Sequence, residues 1–448
     1  METCIKYPRV LIMAGYGLNQ VSGGGITLTN LFEGWPPDKL GILHADINGN
    51  TEGVVNHKFH LERKLVIPGS NIGIKWNTRD EITEFNTTQG RRQGNSIKHR
   101  AYFCLRTAVN KLIRRLGIIG ITEKYVVSQT AIDFVNRFKP EVIYVHPGSI
   151  SFAKLSIDIK RIFGTPLVVH VMDDYPSSLY TEGLFANMVS IHMNSLMKRL
   201  FAEASLCLGI SLFMCSEYIK RYNMPFYCFH NPVNPVFLND EPKKDLVPLE
   251  KNGKFRLVYV GRVGWGVAKA LKDISEAVKD LAKNSIQLAI FANGAESVKQ
   301  QYDFLISTPS NVTISESPKY ADEIAKILHS ADALVLPVEF DSGAIRAIRL
   351  SMPTKVPAYL SSGAPILLYG SEKIGFVTEA INEGWAYVVK VRSKQSLREA
   401  IEFLAENSVF RSKIVENALI KAKSFESGFV REAFRQALSK AAIGQIGL

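Results

Sequence analysis

The stretch SMPTKVPAYLSSGAPILL, residues Ser351–Leu368, predicts a short helix that leads directly into a buried strand. The helical turn covers Val356–Ser362, and Gly363 stands where a helix ends in the left-handed conformation. The apolar run Pro365–Leu368 is short, which is typical of a strand buried on both faces of a parallel sheet. Because Lys355 lies at the mouth of the helix, the pattern predicts a phosphate or sugar site at the carboxyl end of a strand.

A second candidate strand, Ala333–Val338, lies upstream and is followed by the polar loop Glu339–Ala347. The amino-terminal part opens in a similar way, with the apolar run Pro8–Ala14, a glycine-rich loop and a helical pattern. Strand, glycine-rich loop and helix in this order are typical of a nucleotide-binding α/β unit. We therefore expect Gly24 and Gly25 to contact a ligand, although any tight turn between a strand and a helix uses glycines in the same way.

The rest of the chain alternates between apolar runs and helical patterns, which predicts two α/β domains. Each is expected to be a Rossmann-like, doubly wound parallel sheet, and the two are expected to face each other across a ligand-binding cleft. Residues 48–122 are predicted to be irregular apart from one basic helix. The predicted boundaries are residues 1–236 for the first domain, 237–254 for a linker, 255–427 for the second domain, and 428–448 for a final helix that packs back on the first domain.

The composition of the 448-residue chain, with 46% hydrophobic and 21% charged side chains, is that of a globular protein and argues against extensive disorder. Its five cysteines are scattered, without C-x-x-C spacing or neighbouring histidines. We therefore expect a reduced, cytoplasmic protein with no metal site and no cofactor. No apolar run approaches the roughly 20 residues that a membrane-spanning helix needs.

The net charge of +12 is the unusual bulk property, and it indicates an anionic surface or substrate. Part of the charge is concentrated in a segment without carboxylates, residues 91–115, which contains Arg91, Arg92, Lys98, Arg100, Arg106, Lys111, Arg114 and Arg115. Apolar residues recur there at helical spacing and predict a buried stripe of Tyr102, Leu105, Val109, Leu112 and Leu116. Two interpretations stay open, a helix docked on its own domain with a solvated basic face, or a helix held on an anionic membrane surface. No nucleic-acid partner is expected, since no basic and aromatic binding module is visible.

Five segments follow one another in a recognisable order: GGGITLTNLF, HVMDDYP, CLGISLFMCSEYIKRYNMPFYCFHNPVN, VGRVGWGVAKAL and PTKVPAYLSSGAPIL. Together they resemble the GT-B glycosyltransferases, specifically the retaining group of glycosyltransferase family 4 that builds bacterial surface polysaccharides. The resemblance spans nearly the whole chain. It implies the GT-B architecture, a nucleotide-sugar donor and chemistry that needs no metal.

The resemblance assigns the donor's diphosphate to a basic pair. Arg262 follows the first strand of the second domain, and Lys269 stands at the start of the next helix. Arginine is a bidentate partner of phosphate and lysine a point charge, so the pair could stabilise charge on the leaving group. The family's commoner loop is shorter than Gly264-Trp265-Gly266 makes it here. In the alternative interpretation, both cations are ordinary solvated surface residues.

The same resemblance points to the end of a central strand in the first domain. The family's sugar-contacting histidine aligns with Met172, and Asp173 follows it directly. We expect Asp173 to contact a sugar hydroxyl or the acceptor, and His170 is the second candidate because it lies on the same side of the strand as Met172. In the alternative, Asp173 and Asp174 cap the following turn, and His170 is a core histidine.

The chain departs from the family at two positions. Leu350 and Ala358 stand where the family carries glutamates that contact the donor sugar and ribose. The other donor-site residues that the resemblance implies are Asp341, Ser342, Gly343, Ala344, Lys355 and Tyr359. The missing carboxylates imply weaker donor binding, replacement by Asp341 or Glu339, or an inactive relative.

The activity that the resemblance implies is retaining transfer of a sugar from a nucleotide diphosphate donor to a glycan or lipid-linked glycan acceptor. The leaving phosphate could accept the proton of the incoming hydroxyl, so no separate base is required. The expected location is cytoplasmic, at the inner face of the membrane. Two rivals stay open: a catalytically impaired GT-B-like binding or partner subunit, and another nucleotide-sugar enzyme of the same fold, such as an epimerase.

Overall fold

The computed structural model describes residues 7–19, 22–45, 55–66, 73–75, 97–238, 255–281, 286–305 and 311–445. The chain divides into two compact units: unit 1 comprises Met1–Phe229 and Ala433–Leu448, and unit 2 comprises His230–Glu432. Most of the predicted linker, and residues 91–96 of the predicted basic segment, lie outside the described residues. None of the helices in the described ranges has the length and apolarity needed to cross a bilayer.

The strands of unit 1 are short apolar runs, and those at the centre are buried along their whole length, as parallel strands covered on both faces are. In chain order they are β1 (Val10–Ala14), β2 (Leu40–His44), β3 (His57–His60), β4 (Arg63–Val66), β5 (Gly73–Lys75), β6 (Glu123–Tyr125), β7 (Val142–Val145), β8 (Leu167–Val171), β9 (Leu206–Gly209) and β10 (Tyr227–Cys228). A seven-stranded parallel sheet has the order β10-β9-β8-β7-β1-β2-β3, and β5-β4-β6 form a small antiparallel sheet. The central sheet therefore brings the carboxyl ends of β1, β7 and β8 together at one edge.

Helices connect the strands of unit 1, and several begin at a serine whose hydroxyl accepts a hydrogen bond from the backbone N–H three residues later. They are α1 (Gly23–Leu31), α2 (Ile97–Leu116), α3 (Ile119–Thr122), α4 (Gln129–Phe138), α5 (Ile150–Phe163), α6 (Tyr175–Ser178), α7 (Ala186–Glu203) and α8 (Leu212–Tyr222).

The carboxyl-terminal residues of the chain complete the core of unit 1. The ring of Phe434 lies with its centroid 5.2 Å from that of Phe32, 5.7 Å from that of Tyr144 and 5.7 Å from that of Phe229. These edge-to-face contacts surround a fully buried side chain. Unit 1 is therefore built from both ends of the chain.

Unit 2 repeats the alternation with a six-stranded parallel sheet in the order β13-β12-β11-β14-β15-β16. Its strands are β11 (Phe255–Val260), β12 (Ile286–Ala292), β13 (Val312–Glu316), β14 (Ala333–Pro337), β15 (Ile366–Tyr369) and β16 (Tyr387–Val389). Its helices are α9 (Ala268–Asp280), α10 (Ala295–Gln301), α11 (Ala321–Ser330), α12 (Ser342–Ile348), α13 (Lys355–Ser361), α14 (Gly375–Glu383), α15 (Lys394–Glu406) and α16 (Ser408–Ala422), and the last helix of the chain is α17 (Ser427–Ala442).

The stretch Ser351–Leu368 folds as predicted. Helix α13 ends at Ser361, Gly363 follows in the left-handed conformation with a φ of 71°, and β15 begins at Ile366. Strand β15 pairs in parallel with β14 and is completely buried. The predicted α/β class with two Rossmann-like sheets is confirmed.

Three local predictions were wrong. Residues 48–122 are not irregular apart from one helix, because β3 extends the main sheet and β4 and β5 build the small one. The predicted loop Glu339–Ala347 contains α12, since the chain turns helical directly after Asp341. Leu112 was expected in the buried stripe of α2 but is 55% exposed. Ile113, which lies beside Leu65, is buried in its place, between the half-buried Val109 and Leu116.

Candidate functional site

In unit 2, the polar residues gather at the carboxyl end of β11. The Tyr259 hydroxyl donates a hydrogen bond to the backbone carbonyl of Arg262 over 2.6 Å, and it accepts one from Lys355 Nζ over 2.8 Å. The exposed Arg262 follows Gly261, whose φ is 144°. This positive φ favours glycine. A Cβ at Gly261 would also lie 2.5 Å from Lys355 Nζ.

Burial and the neighbouring Arg262 lower the pKa of Lys355 to about 7. The ammonium lies 4.1 Å from the centre of the Tyr259 ring, which stabilises its charged form in part. A lysine with a pKa in this range gains a proton when an anion arrives beside it. The protonation of Lys355 would therefore respond to an anion that binds beside it, and its role in substrate binding stays a prediction.

Lys269 of α9 is tied to the loop that follows β14. Its backbone N–H donates to Oε1 of the buried Glu339 over 3.0 Å, and its Nζ donates to Asp341 Oδ2 over 2.8 Å. The hydrogen bond to Asp341 raises the pKa of Lys269 and lowers the pKa of the Asp341 carboxyl. The predicted cation Lys269 and the predicted donor-site residue Asp341 are therefore in contact with each other.

The predicted residues Ser342, Gly343 and Ala344 form the first turn of α12, directly after Asp341. Ser342 is exposed and Ala344 is buried. The chain reaches this turn from the carboxyl end of β14, so their backbone N–H groups lie at the edge of the sheet where ligands of parallel α/β units bind.

Tyr359 has a structural contact instead of an exposed face. Its buried hydroxyl accepts a hydrogen bond from the backbone N–H of Val260 over 2.9 Å and lies 3.3 Å from the carbonyl of the same residue. This fixes α13 to the end of β11 and so positions Lys355 one turn earlier. Of the two positions where carboxylates were expected, Leu350 is buried, and Ala358 lies on α13 beside Tyr359.

In unit 1, the predicted glycines have a packing role. A Cβ on Gly24 would overlap the ring of Tyr16, and a Cβ on Gly25 would overlap the side chain of Asn19. The Gly25 N–H donates to the Ser22 hydroxyl that caps α1. Gly24 thus allows Tyr16 to lie over the start of α1, at the carboxyl end of β1.

Tyr16 belongs to a polar cluster that joins the ends of β1, β7 and β8. The His146 ring lies 5.2 Å from the Tyr16 ring, and its Nε2 is 2.5 Å from the Tyr175 hydroxyl. His146 Nδ1 is 3.2 Å from the carbonyl of His170, so Nδ1 is the donor and Nε2 accepts the Tyr175 proton. Burial lowers the pKa of His146, against the opposing effect of Asp173, and keeps the ring neutral near pH 7.

Asp173 lies at the rim of this cluster and is half-buried. Its Oδ2 is 3.4 Å from the Tyr175 hydroxyl, which is oriented towards His146. His170, in contrast, is completely buried, and its Nδ1 is 2.6 Å from the Tyr144 hydroxyl. The placement of Asp173 is compatible with a sugar contact, and that of His170 favours the alternative of a core histidine.

Asp174 does not cap the turn with its side chain. It is buried and forms a bidentate ion pair with Arg221, with distances of 2.7 and 3.1 Å, and accepts a hydrogen bond from the Tyr218 hydroxyl. This pair fixes the chain immediately after Asp173 to α8. The strand end that carries Asp173 is thereby held in place.

Sequence reasoning missed the residues that organise both sites, namely Tyr16, His146, Tyr175 and Tyr259. His146 could have been found, because it is the polar residue that directly follows the apolar run Val142–Val145, and β7 is the neighbour of β8. Tyr259 had no such signal, since an aromatic residue within an apolar strand is usually part of the core.

Residues 254–407, within unit 2, match the family described as Glycosyl transferases group 1. The fold is similar to sucrose-phosphate synthase from Thermosynechococcus elongatus, with a TM-score of 0.60 and 12% identity over 96% of this chain and 98% of that chain. It is also similar to HepE from Anabaena in complex with UDP and glucose, with a TM-score of 0.60 and 13% identity over 97% and 100% of the two chains. The fold is similar as well to the trehalose-phosphate synthase from Burkholderia xenovorans in complex with glucose-6-phosphate. The TM-score is 0.58 and the identity 11%, over 96% of this chain and 100% of that chain.

No protein with curated function matches the sequence. At these identities the structural likeness establishes the fold, and the predicted GT-B architecture is confirmed.

Proposed function

We propose that this glycosyltransferase of the GT-B fold moves a sugar from a nucleotide diphosphate donor to a glycan or lipid-linked glycan acceptor. The observation that carries the proposal is the placement of Arg262, Lys269 and Lys355 around the loop that follows β11. Cations at the carboxyl end of a parallel strand suit a diphosphate. HepE from Anabaena binds UDP and glucose, which supports a nucleotide-sugar donor.

The proposed chemistry is retaining and independent of metal. The bond between the sugar and the diphosphate breaks, and the positive charges of Arg262, Lys269 and Lys355 stabilise the leaving group in place of a metal ion. The acceptor hydroxyl attacks the same face of the sugar, and a leaving phosphate oxygen takes its proton. Each atom and proton of the transfer is thus accounted for without a separate base.

In this proposal, the carboxylate of Asp173 in unit 1 accepts a hydrogen bond from a hydroxyl of the sugar or the acceptor. The side chain is half-buried, and the two residues directly after it are fixed by the His146–Tyr175 hydrogen bond and the Asp174–Arg221 ion pair. A carboxylate held in this way accepts hydroxyl hydrogen bonds with little loss of freedom, which is the condition for effective positioning.

A second candidate function is a catalytically impaired binding subunit. It is favoured by one observation, the buried apolar Leu350 where a donor-binding carboxylate was expected. Against it stands Glu339, a carboxylate in the loop after β14 that already contacts the start of α9 and lies beside Asp341. Glu339 and Asp341 are therefore the proposed replacements for the missing glutamates.

The proposed pathway is the synthesis of surface polysaccharide, and the proposed location is the cytoplasmic face of a membrane. Support for the location comes from the described part of the basic segment, in which Lys111, Arg114 and Arg115 are exposed at the end of α2. Such a cluster attracts anionic lipids, by about 1 kcal/mol for each cation near the surface.

The test is a donor screen with the full chain in the presence of a chelator. Sugars linked to UDP, GDP, ADP and dTDP are incubated with the protein and a panel of glycan and lipid-linked glycan acceptors, and the release of nucleoside diphosphate is followed. We expect nucleoside diphosphate to be released from one donor class. NMR of the glycosylated product should show that the transferred sugar keeps the donor's anomeric configuration. Consumption of none of the four classes contradicts the transferase proposal, and nucleotide binding without consumption supports the impaired subunit.

A further inference from the structure

Helix α7 exposes apolar side chains on a side that faces away from the core. Leu184 is 75% exposed, Met188 55% and Ile191 64%. Leu184 and the exposed Phe185 directly precede the helix, and Met188 and Ile191 lie three residues apart on one exposed side of its first two turns. The opposite side carries Val189, Met193 and the other buried residues of the helix. Four large apolar side chains exposed within eight residues mark an interaction site more often than a fold requirement.

The last turn of α2 is fixed against the start of this helix. The backbone N–H of Leu184 donates to the carbonyl of Arg115 over 3.2 Å, and that of Phe185 donates to the carbonyl of Leu116 over 2.8 Å. The approach is so close that a side chain at Gly183 would overlap the backbone of Gly117. Leu112, the exposed apolar residue of α2, lies one turn before this junction.

Cations surround the apolar side chains. Lys111, Arg114 and Arg115 are exposed on α2, and neither α2 nor residues 184–202 contain a carboxylate. On the other flank, burial and then Lys154 and Arg199 lower the pKa of His192, which reports positive potential there. Glu182 is the exposed carboxylate nearest in sequence, and it precedes the apolar residues.

We propose that Leu184, Phe185, Met188, Ile191 and Leu112 form a membrane-inserting surface, and that its occupant is the acyl-chain boundary of an anionic bilayer. Apolar side chains at the centre and basic side chains around them are the pattern of an interfacial membrane helix. A second copy of the chain would fit less well, because a symmetric contact would bring the same cations against each other. The inference rests on the proposed membrane location and is independent of the transfer chemistry.

The test uses sedimentation of the full chain with phosphatidylcholine vesicles, with and without phosphatidylglycerol. The variant combines Leu184→Ser, Met188→Ser and Ile191→Ser, all at exposed positions. Its matched control combines Val409→Ser, Ile420→Ser and Phe429→Ser, which are also exposed apolar residues but lie in unit 2. We expect the first variant to lose at least about tenfold in partitioning to anionic vesicles, and the control to bind like the unaltered protein.

Insertion itself is measured with Met188→Trp. Anionic vesicles with brominated acyl chains are expected to quench the fluorescence of the added tryptophan. The quenched fraction should therefore exceed that of the unaltered protein, which contains four native tryptophans. The same substitution at the control position, Val409→Trp, is expected to show no quenching.

The outcomes separate this inference from the proposed location. Salt-sensitive vesicle binding that survives the serine variant, without quenching of the tryptophan at position 188, overturns insertion but keeps the electrostatic attraction. Absence of vesicle binding overturns both, while the donor screen still decides the transferase proposal. A lipid-free dimer that the serine variant dissociates also overturns the inference, in favour of a second copy.

Discussion

Lys355 Nζ donates a hydrogen bond to the Tyr259 hydroxyl over 2.8 Å and lies 4.1 Å from the centre of the same ring. Tyr259 in turn donates to the backbone carbonyl of Arg262, so a single tyrosine joins the Lys355 ammonium to the chain at Arg262. The regular geometry of a single helix or strand would not bring these residues together, because they belong to β11, to the loop after it and to α13. The tyrosine defines the candidate donor site of unit 2.

This arrangement predicts that nucleoside diphosphate binding depends on pH. Lys355 has a pKa of about 7, and a bound diphosphate raises it. Protons are therefore taken up on binding above this pKa, and the association constant falls by up to about tenfold per pH unit between about pH 7 and about pH 9. Calorimetry in two buffers of different ionisation enthalpy detects the uptake.

Lys355→Met is expected to remove the proton uptake, and Lys355→Arg to keep binding while removing its pH dependence. Lys390→Met is the control, since Lys390 pairs with Glu372 at the surface of unit 2. Equal heats in the two buffers for the unaltered protein would show that Lys355 does not meet the diphosphate.

The pair between Lys269 and Asp341 predicts a gain of affinity on mutation. Both side chains are exposed, so the ion pair contributes little to stability, and Asp341→Asn should leave the melting temperature nearly unchanged. The change removes a negative charge next to a diphosphate and releases Lys269. We expect nucleoside diphosphate affinity to rise about two- to tenfold.

The control for this experiment is Asp280→Asn, an exposed carboxylate of α9 that pairs with Lys394 and Arg398. If Asp341 replaces a missing glutamate and contacts the sugar, the same variant will bind the nucleotide-sugar more weakly. A loss of affinity for the nucleoside diphosphate alone contradicts the proposed geometry.

The buried pair of Asp174 and Arg221 predicts a large effect on stability. Arg221→Ala removes the bidentate partner of the buried Asp174 carboxylate, which costs about 3–5 kcal/mol. Urea denaturation followed in unit 1 measures the change. Arg161→Ala removes an exposed ion pair with Glu203 and should change the free energy of unfolding far less. Similar losses for the two variants would contradict the structural role of Asp174.

Asp173 is predicted to act on transfer and not on nucleotide binding. Asp173→Ala removes a hydrogen bond between a carboxylate and a hydroxyl, worth about 1.5–3 kcal/mol, so we expect transfer to slow by about 10- to 150-fold. The affinity for nucleoside diphosphate should stay unchanged, because Asp173 belongs to unit 1. Asp158→Ala on the exposed side of α5 is the control. An equal rate for Asp173→Ala and Asp158→Ala would remove Asp173 from the site.

The sequence predicted the architecture because apolar runs and glycine stops are local signals. Gly363 illustrates this, since its left-handed conformation and the buried strand after it follow from the neighbouring residues alone. Which side chain of α2 is buried could not be predicted in the same way. Whether Leu112 or Ile113 is buried depends on β4, which is distant in sequence.

For the site residues too, local motifs could be read from the sequence, whereas contacts between distant segments could not. Arg262, Lys355 and Asp173 were identified from motifs. Arg262 and Asp173 follow strand ends, and Lys355 begins α13 with its ammonium at Tyr259 of β11. The contacts that position them, through Tyr259 and through His146 with Tyr175, join residues from different strands. His170 shows the limit, because strand alternation places it beside Met172, but only the packing of Tyr144 shows that it is inside the core.

The most direct test of the central claim is a calorimetric titration with UDP, GDP, ADP and dTDP into the unaltered protein and into Arg262→Ala. We predict that one nucleoside diphosphate binds, and that Arg262→Ala weakens its binding at least about tenfold through loss of a charge-assisted hydrogen bond. Arg398→Ala, an exposed arginine of α15 in the same unit, should bind like the unaltered protein. Binding of none of the four nucleotides, or equal affinity for Arg262→Ala, would contradict the account.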